Sequence, residues 1–420
     1  MNNFTTNTYE MKREILNFSK KASVGTNKVT TKFIMDMQYG LSKSQSCLIS
    51  NISRALDERV KLKNTIERLC DNLIRLSDED KNKIKDNYFN EIKKYFGDNP
   101  VAIFDDSDIS KRYGKKFEDL DRVIDASDTD KKVVNGYHVC EAVILGEKEK
   151  QPFSVYSEIY SCKSDGFISK NKYTIDSIDT VMKVINGKKC DMVLDRGYDD
   201  NKIIEYIDKS GNNFVIRMND RRNFIFKNKK KNAYKESLKR KGQVKMELWF
   251  ESEKYEVSVS HTKVTLPSNK KDYELVFVYG LSEERTLILL TNRSIHSKED
   301  VIKVVRLYFY RWRVEEYFRS KKQEYEFENM RVRTLKAINN LNLMLMIHMG
   351  HLSMLIEDMD KKLLTIKIIE SSKSIRNKIL VWISQIARGI SNILKYAHEG
   401  IKKWQEVEVR SNFKQLELKL

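Results

Sequence analysis

The spacing of apolar residues changes at Gly97-Asp98-Asn99-Pro100, and that change constrains the fold more than any other feature of the chain. Upstream, Leu48, Ile49, Ile52, Leu56 and Val60 recur at helical spacing, as do Ile66, Leu69, Leu73 and Ile74. The residue before a proline is pushed out of helical backbone, so the pattern predicts helices over 1–96 that stop there. Downstream the texture is strand-like. Residues 101–104 form a short apolar run ending in acids, and 137–145 and 153–160 read as strands. A helix over 177–186, an apolar run at 192–194 closed by acids, a helix over 202–207 and a strand over 213–218 follow. Three strands, then helix, strand, helix, strand predict an α/β fold, a mixed sheet with helices packed on it.

Residues 219–296 have another pattern. The stretches 249–250, 255–260, 273–278 and 286–291 read as strands with no helix between them, an all-β insertion. It carries a basic run, 227–241, with eight Lys or Arg and one acid, in which Lys229, Lys230 and Lys231 are candidate contacts to a DNA backbone. From 297 onward the pattern is helical again. The stripe 341–355 reads as core or oligomer interface, and His348 and His351 within it as a satisfied core pair. Trp249 reads as a core candidate.

At 420 residues, with 40% hydrophobic and 10% aromatic residues, the chain has material for a real core and for two to four domains. Lys plus Arg number 78 against 60 Asp plus Glu, a formal charge of +18 that favours a polyanionic partner, most often nucleic acid. The five cysteines are scattered without zinc-finger or redox spacing and read as small buried residues of a reducing compartment. No secretory signal opens the chain, and its longest apolar stretch is broken by Asn342, His348 and His351, so a cytoplasmic protein outside the membrane is expected.

Phosphodiester chemistry with two divalent ions needs carboxylates converging on one point, and the ends of neighbouring strands in a sheet offer one. Asp105 directly follows 101–104, and Asp195 follows the later apolar run in the same way. Each also reads as a turn former or helix N-cap. Farther on, Tyr308, Arg311, Glu315 and Lys322 fall at offsets 0, 3, 7 and 14, within roughly 60° of one another on a single helix, with Arg319 on the same stripe. An exposed face laced by i,i+4 pairs would look the same.

Tyr-x2-Arg-x3-Glu-x6-Lys resembles the signature of DDE transposases of the "insertion sequence four" type. The segment beginning Asp195-Arg-Gly-Tyr-Asp is similar to that family's second-aspartate motif, and the one beginning Asp105-Asp-Ser-Asp to its first. Residues 32–44 resemble the family's opening segment. The resemblance covers about residues 30–350.

It implies an RNase H-like core, 97–218 and 297–360, interrupted by the β-strand insertion 219–296. A DNA-binding helical region over 1–96 would precede that core, and 361–420, which the resemblance does not reach, reads as a helical region from its own pattern. It implies that Asp105, Asp195 and Glu315 hold two Mg²⁺ or Mn²⁺ ions, with Asp106 and then Asp108 as alternatives for the first aspartate; Glu316, about 100° from Glu315 around the helix, is disfavoured on that ground. Tyr308, Arg311 and Lys322 would grip phosphates; apart from the resemblance, Arg319 on the same stripe and Arg331 and Arg333 just beyond the helix are further candidates for the DNA track. The expected activity is cleavage and joining of double-stranded DNA at the ends of an insertion sequence by a nucleoid-associated homodimer. A catalytically inactive repressor and a stand-alone RNase H-like nuclease are the alternatives. The strand 286–292 lacks the tryptophan that some relatives use to form a DNA hairpin, so that route is not expected to follow from it.

Overall fold

The structure, a computed structural model, describes residues 2–124, 130, 132–250, 253–282, 285–359, 363–372, 383–397 and 400. The helical region expected over 361–420 falls partly on 361–362, 373–382, 398–399 and 401–420, which lie outside the described residues.

Helices α1 (Asn2–Ala22), α2 (Lys28–Ser44), α3 (Ile49–Leu56), α4 (Leu62–Arg75) and α5 (Asp78–Ile92) precede the first strand. Asn27 and Ser77 cap α2 and α5 with side-chain oxygens that accept backbone N–H groups left unpaired at a helix start. The chain then enters β1 (Val101–Ser110), β2 (Asp121–Ile124), β3 (Val133–Leu145) and β4 (Pro152–Tyr160). Next come α6 (Lys170–Ile185), β5 (Asp191–Leu194), α7 (Asn201–Lys209) and β6 (Asn213–Arg217). Strand β3 lies antiparallel to β1 and β4, while β1–β5 and β5–β6 are parallel. The order β4-β3-β1-β5-β6 with these directions is that of an RNase H-like mixed sheet. Its central strands read as continuous apolar runs because both faces are covered: Ala102, Ile103, Phe104, Met192, Val193 and Leu194 are all fully buried.

Past β6 come β7 (Asn223–Phe226), β8 (Lys229–Asn232), α8 (Ala233–Ser237), β9 (Val244–Phe250), β10 (Glu253–Thr265), β11 (Asp272–Tyr279) and β12 (Leu287–Thr291). Two corrections to the sequence reading arise here. One short helix, α8, interrupts the strands, and Trp249 stands 70% exposed on β9 instead of in the core. Strand β12 pairs antiparallel with β6, so these strands extend the central sheet to 12 strands among the described residues. Lys227 and Asn228 both take positive φ between β7 and β8, the backbone of a tight two-residue hairpin turn.

Helices α9 (Lys298–Phe309), α10 (Trp312–Gln323), α11 (Leu335–Glu357), α12 (Leu363–Ser371) and α13 (Ile383–Leu394) follow. A capping box between Ser297 and Asp300 starts α9. Helix α11 is apolar nearly all round and buried from Asn340 to Glu357, which makes the stripe 341–355 core. His348 is buried in it with Nε2 at 2.8 Å from the Tyr325 hydroxyl, and buried His351 stacks on Phe18 at 4.3 Å. No described helix is long and apolar enough to cross a membrane. Cys47, Cys140 and Cys190 are buried as expected, whereas Cys70 is half-buried and Cys162 exposed.

Candidate active site at the ends of strands β1 and β5

Register brings the first two acids together. Phe104 pairs with Leu194 across the parallel β1–β5 ladder, and the next residue on each strand path is Asp105 and Asp195. Strand alternation then separates Asp105 from Asp106, since successive side chains point to opposite faces. Asp106 accepts a hydrogen bond of 2.8 Å from the buried Tyr198 hydroxyl. Asp105 lies on the face where Arg311 arrives, its Nη1 donating to Oδ2 at 3.2 Å.

The Tyr308–Lys322 stretch is not the single helix that its spacing predicts. Tyr310 and Arg311 form a turn between α9 and α10, with i→i+3 bonds from Arg311 N to Tyr308 O and from Val314 N to Arg311 O. On either side of this break, each helix delivers a group. From the end of α9 the Tyr308 hydroxyl donates to Asp195 Oδ1 at 2.9 Å, and from the start of α10 Arg311 reaches both Asp105 and, at 2.5 Å, Glu315. Lys322 donates to the Asp108 carbonyl at 2.7 Å and pairs with Glu328 at 3.3 Å. Arg319 leaves this group: it is half exposed and pairs with Glu316 at 2.6 Å.

Burial pushes Asp105 up to about 7; Arg311 opposes that rise, while Asp195, Asp106 and Glu315 add to it by repulsion. Burial also pulls Asp195 upward, but Arg311, the Arg196 backbone N–H, the Tyr308 hydroxyl and Arg217 outweigh it and hold the carboxyl below its ordinary range. Burial disfavours the charge on Arg311, yet Tyr308, Asp105, Asp195 and Glu315 together hold the guanidinium above its usual range. Its Nε is buried without a hydrogen-bond partner. The site is a crowd of carboxylates around one cationic group, and an all-oxygen set of this kind suits a hard divalent ion. The three acids do not close to within 4.8 Å of one another; Arg311 stands among them.

Two supporting residues escaped the sequence reading. Arg217, at the end of β6, approaches Asp195 Oδ1 at 3.7 Å, and a cation ending the strand next to an acid-ended strand was a usable signal. Lys321, beside Lys322, turns inward to form a fully buried ion pair with Glu141 at 2.9 Å. Glu141 lies opposite Asp105 on β3, so this pair fastens α10 over the sheet. Buried Lys111 donates to the Met330 carbonyl at 2.7 Å, fixing the segment that leads to exposed Arg331 and Arg333. Lys229 and Lys230 are exposed on β8, and Lys231 faces Glu236 at 3.5 Å.

No curated protein matches the chain in sequence. Among solved structures, a cryo-EM structure of a piggyBac transposase synaptic complex with hairpin DNA superposes with a TM-score of 0.46 at 12% identity, covering 96% of this chain and 82% of that one. Residues 160–349 match the family described as a transposase DDE domain, a span that holds Asp195 and Glu315 and begins after Asp105. That match supports a DDE transposase.

Proposed function

We propose that the chain is a transposase of the "insertion sequence four" type, with Tyr308, Arg311, Glu315 and Lys322 as its Y-R-E-K set. It would cut the ends of its own mobile element and join them to target DNA. The observation that carries this reading is the meeting of Asp105 and Asp195 at the ends of adjacent parallel strands, with Arg311 bridging Asp105 to Glu315.

Asp105, Asp195 and Glu315 would hold Mg²⁺ or Mn²⁺, two ions per site. The chemistry supplied by the bound metal is activation of the attacking oxygen and stabilisation of the leaving oxygen. The protein's own groups do the rest. Tyr308 fixes the rotamer of Asp195 through its hydroxyl. Arg311, with an unpaired Nε, is placed to release a carboxylate and take a phosphate oxygen when DNA and metal arrive. Lys322, held at the Asp108 carbonyl, supplies a second cation for the backbone. Arg331, Arg333, Lys229 and Lys230 are exposed cations that would extend the track without reading bases. Arg319 and Lys231, already paired with acids, belong to its edge at most. Pairing two element ends needs two active sites, which makes a homodimer on DNA the working assembly, in the cytoplasm with the nucleoid.

Supercoiled plasmid carrying DNA that flanks the reading frame, incubated with Mn²⁺, tests this. Nicking followed by joined products, both lost in Asp195→Ala, is expected. Nicking unchanged in Asp195→Ala would refute the assignment, and nicking with no joined product would make the chain a nuclease. Binding without cleavage in the wild type would make it a repressor.

A further inference from the structure

A second cluster of ligand-type side chains lies on the opposite face of β1, away from Asp105. Strand β3 is long enough to pair with two strands along one edge: its start pairs with β2 (Asp121 opposite Gly136) and its remainder with β4 (Tyr160 opposite His138). The start of β2 and the end of β4 therefore meet beside His138. Two residues past Tyr160, Cys162 donates its backbone N–H to Asp121 Oδ2 at 2.7 Å, and the Lys163 amino group donates to the Leu120 carbonyl at 2.7 Å. Donor atoms of Asp121, His138 and Cys162 all lie within 4.8 Å of one another, with His138 Nε2 3.7 Å from Asp121 Oδ2. Among the described residues this is the set of three that closes so tightly.

The histidine is also oriented from behind. Asp108 sits directly opposite His138 across the β1–β3 ladder, and its Oδ1 lies 2.8 Å from His138 Nδ1. A carboxylate on Nδ1 fixes the proton there and leaves the Nε2 lone pair aimed at Asp121 and Cys162. This is the outer-shell arrangement that orients metal-ligating imidazoles. The three donors border a cavity of about 430 Å³ that also takes in Asp106 and Lys170, which gives an entry path and room for a fourth ligand.

We propose that Asp121, His138 and Cys162 form a binding site for Zn²⁺ or a similar borderline-soft divalent ion, held with one open coordination position. One nitrogen, one sulfur and one oxygen donor exclude Mg²⁺ as the preferred occupant, since a thiolate ligand selects softer metals. The ion would tie the loop after β4 to β2 and β3 and so close the gap where two strands share one edge. The site stands apart from the phosphodiester chemistry, because Asp105 faces the other side of the sheet.

Metal-stripped full-length protein titrated with Co²⁺ tests it, since a cobalt–thiolate bond gives an ultraviolet charge-transfer band that carboxylates cannot. One equivalent should develop that band, and Zn²⁺ should displace it. The band should vanish in Cys162→Ser and persist in Asp195→Asn. Asp108→Asn, which leaves all three donors in place, should weaken Co²⁺ binding by about 10- to 100-fold. Absence of the band in the wild type overturns the proposal without any variant having to fold, and so does a band that survives Cys162→Ser.

Discussion

Asp105 and Asp106 are neighbours in sequence with opposite surroundings, and the pleat of β1 alone separates them. Asp105 is half-buried and faces Arg311, while Asp106 lies on the other face, where it accepts from the Tyr198 hydroxyl. Burial raises Asp106 as well, with the Tyr198 hydrogen bond and Lys170 opposing that rise, so a shifted carboxyl is not what distinguishes the pair. Geometry distinguishes them. Asp105→Asn should lower DNA nicking by three orders of magnitude or more, roughly the several kcal/mol that a metal site contributes to a transition state. Asp106→Asn keeps the acceptor for Tyr198 and should stay within about tenfold of wild type by the same measure. Single-turnover nicking with Mn²⁺ checks both, and the reverse order would move the first catalytic aspartate to Asp106. Arg311 gives a second prediction. With the guanidinium removed, Arg311→Ala should bind Mn²⁺ at least as tightly as wild type in calorimetry, because a competing cation has left the carboxylates, and yet cleave poorly.

One buried ion pair helps to hold helix α10 on the sheet. Lys321 and Glu141 are 1% and 0% exposed, and the pair is satisfied further: Ser157 donates to Glu141 at 2.7 Å, and Lys321 donates to Ser157 at 3.1 Å. Removing one member leaves a buried charge without its partner, so Lys321→Met should destabilise the protein by about 3–5 kcal/mol. Lys321→Met combined with Glu141→Leu should recover much of that loss, since an apolar pair of similar volume is often neutral. Urea denaturation followed by circular dichroism reads both. At this scale the sequence was informative where periodicity is local. The strands over 137–145, 153–160 and 213–218 overlap β3, β4 and β6 closely, because their apolar runs have both faces buried. That Asp105 and Asp195 end neighbouring strands was legible because acids follow apolar runs, whereas Tyr308, Arg311 and Glu315 stood out by their resemblance to a family signature and not by spacing alone. The break at Tyr310 and Arg311 was not legible, since neither residue is a Pro or Gly and both keep helical backbone angles. The inward turn of Lys321 and the meeting of Asp121, His138 and Cys162 were hidden for another reason. Both depend on which strands pair across long sequence separations, and a single chain's residue spacing does not carry that information.

For the whole molecule the governing quantity is the formal charge of +18. A polyanion bound by such a surface releases condensed counterions, so log K falls linearly with log salt at about 0.9 per neutralised phosphate. With 6–10 contacts, affinity for any duplex should fall by about 10³–10⁵ between 50 and 200 mM salt. The slope also locates the contact surface, which total charge does not. Lys229 and Lys230 stand exposed on β8, one residue past the Lys227–Asn228 turn, and no acid pairs with either among the ion pairs of the described residues. Replacing both with Ala should reduce the slope by about 2 if each meets a phosphate. Lys183 on α6 is an apt control. It is 67% exposed and pairs with Asp86, and its helix begins at Lys170 beside Asp106, on the sheet face turned away from Asp105. Lys183→Ala should leave the slope unchanged although it alters net charge. Equal slopes for the Lys229/Lys230 double variant and wild type would remove the β7–β8 hairpin from the DNA track. The long-range field of the molecule would then remain, with the contact surface reduced to cations near Asp105, because counterion release counts phosphates touched and not charges carried.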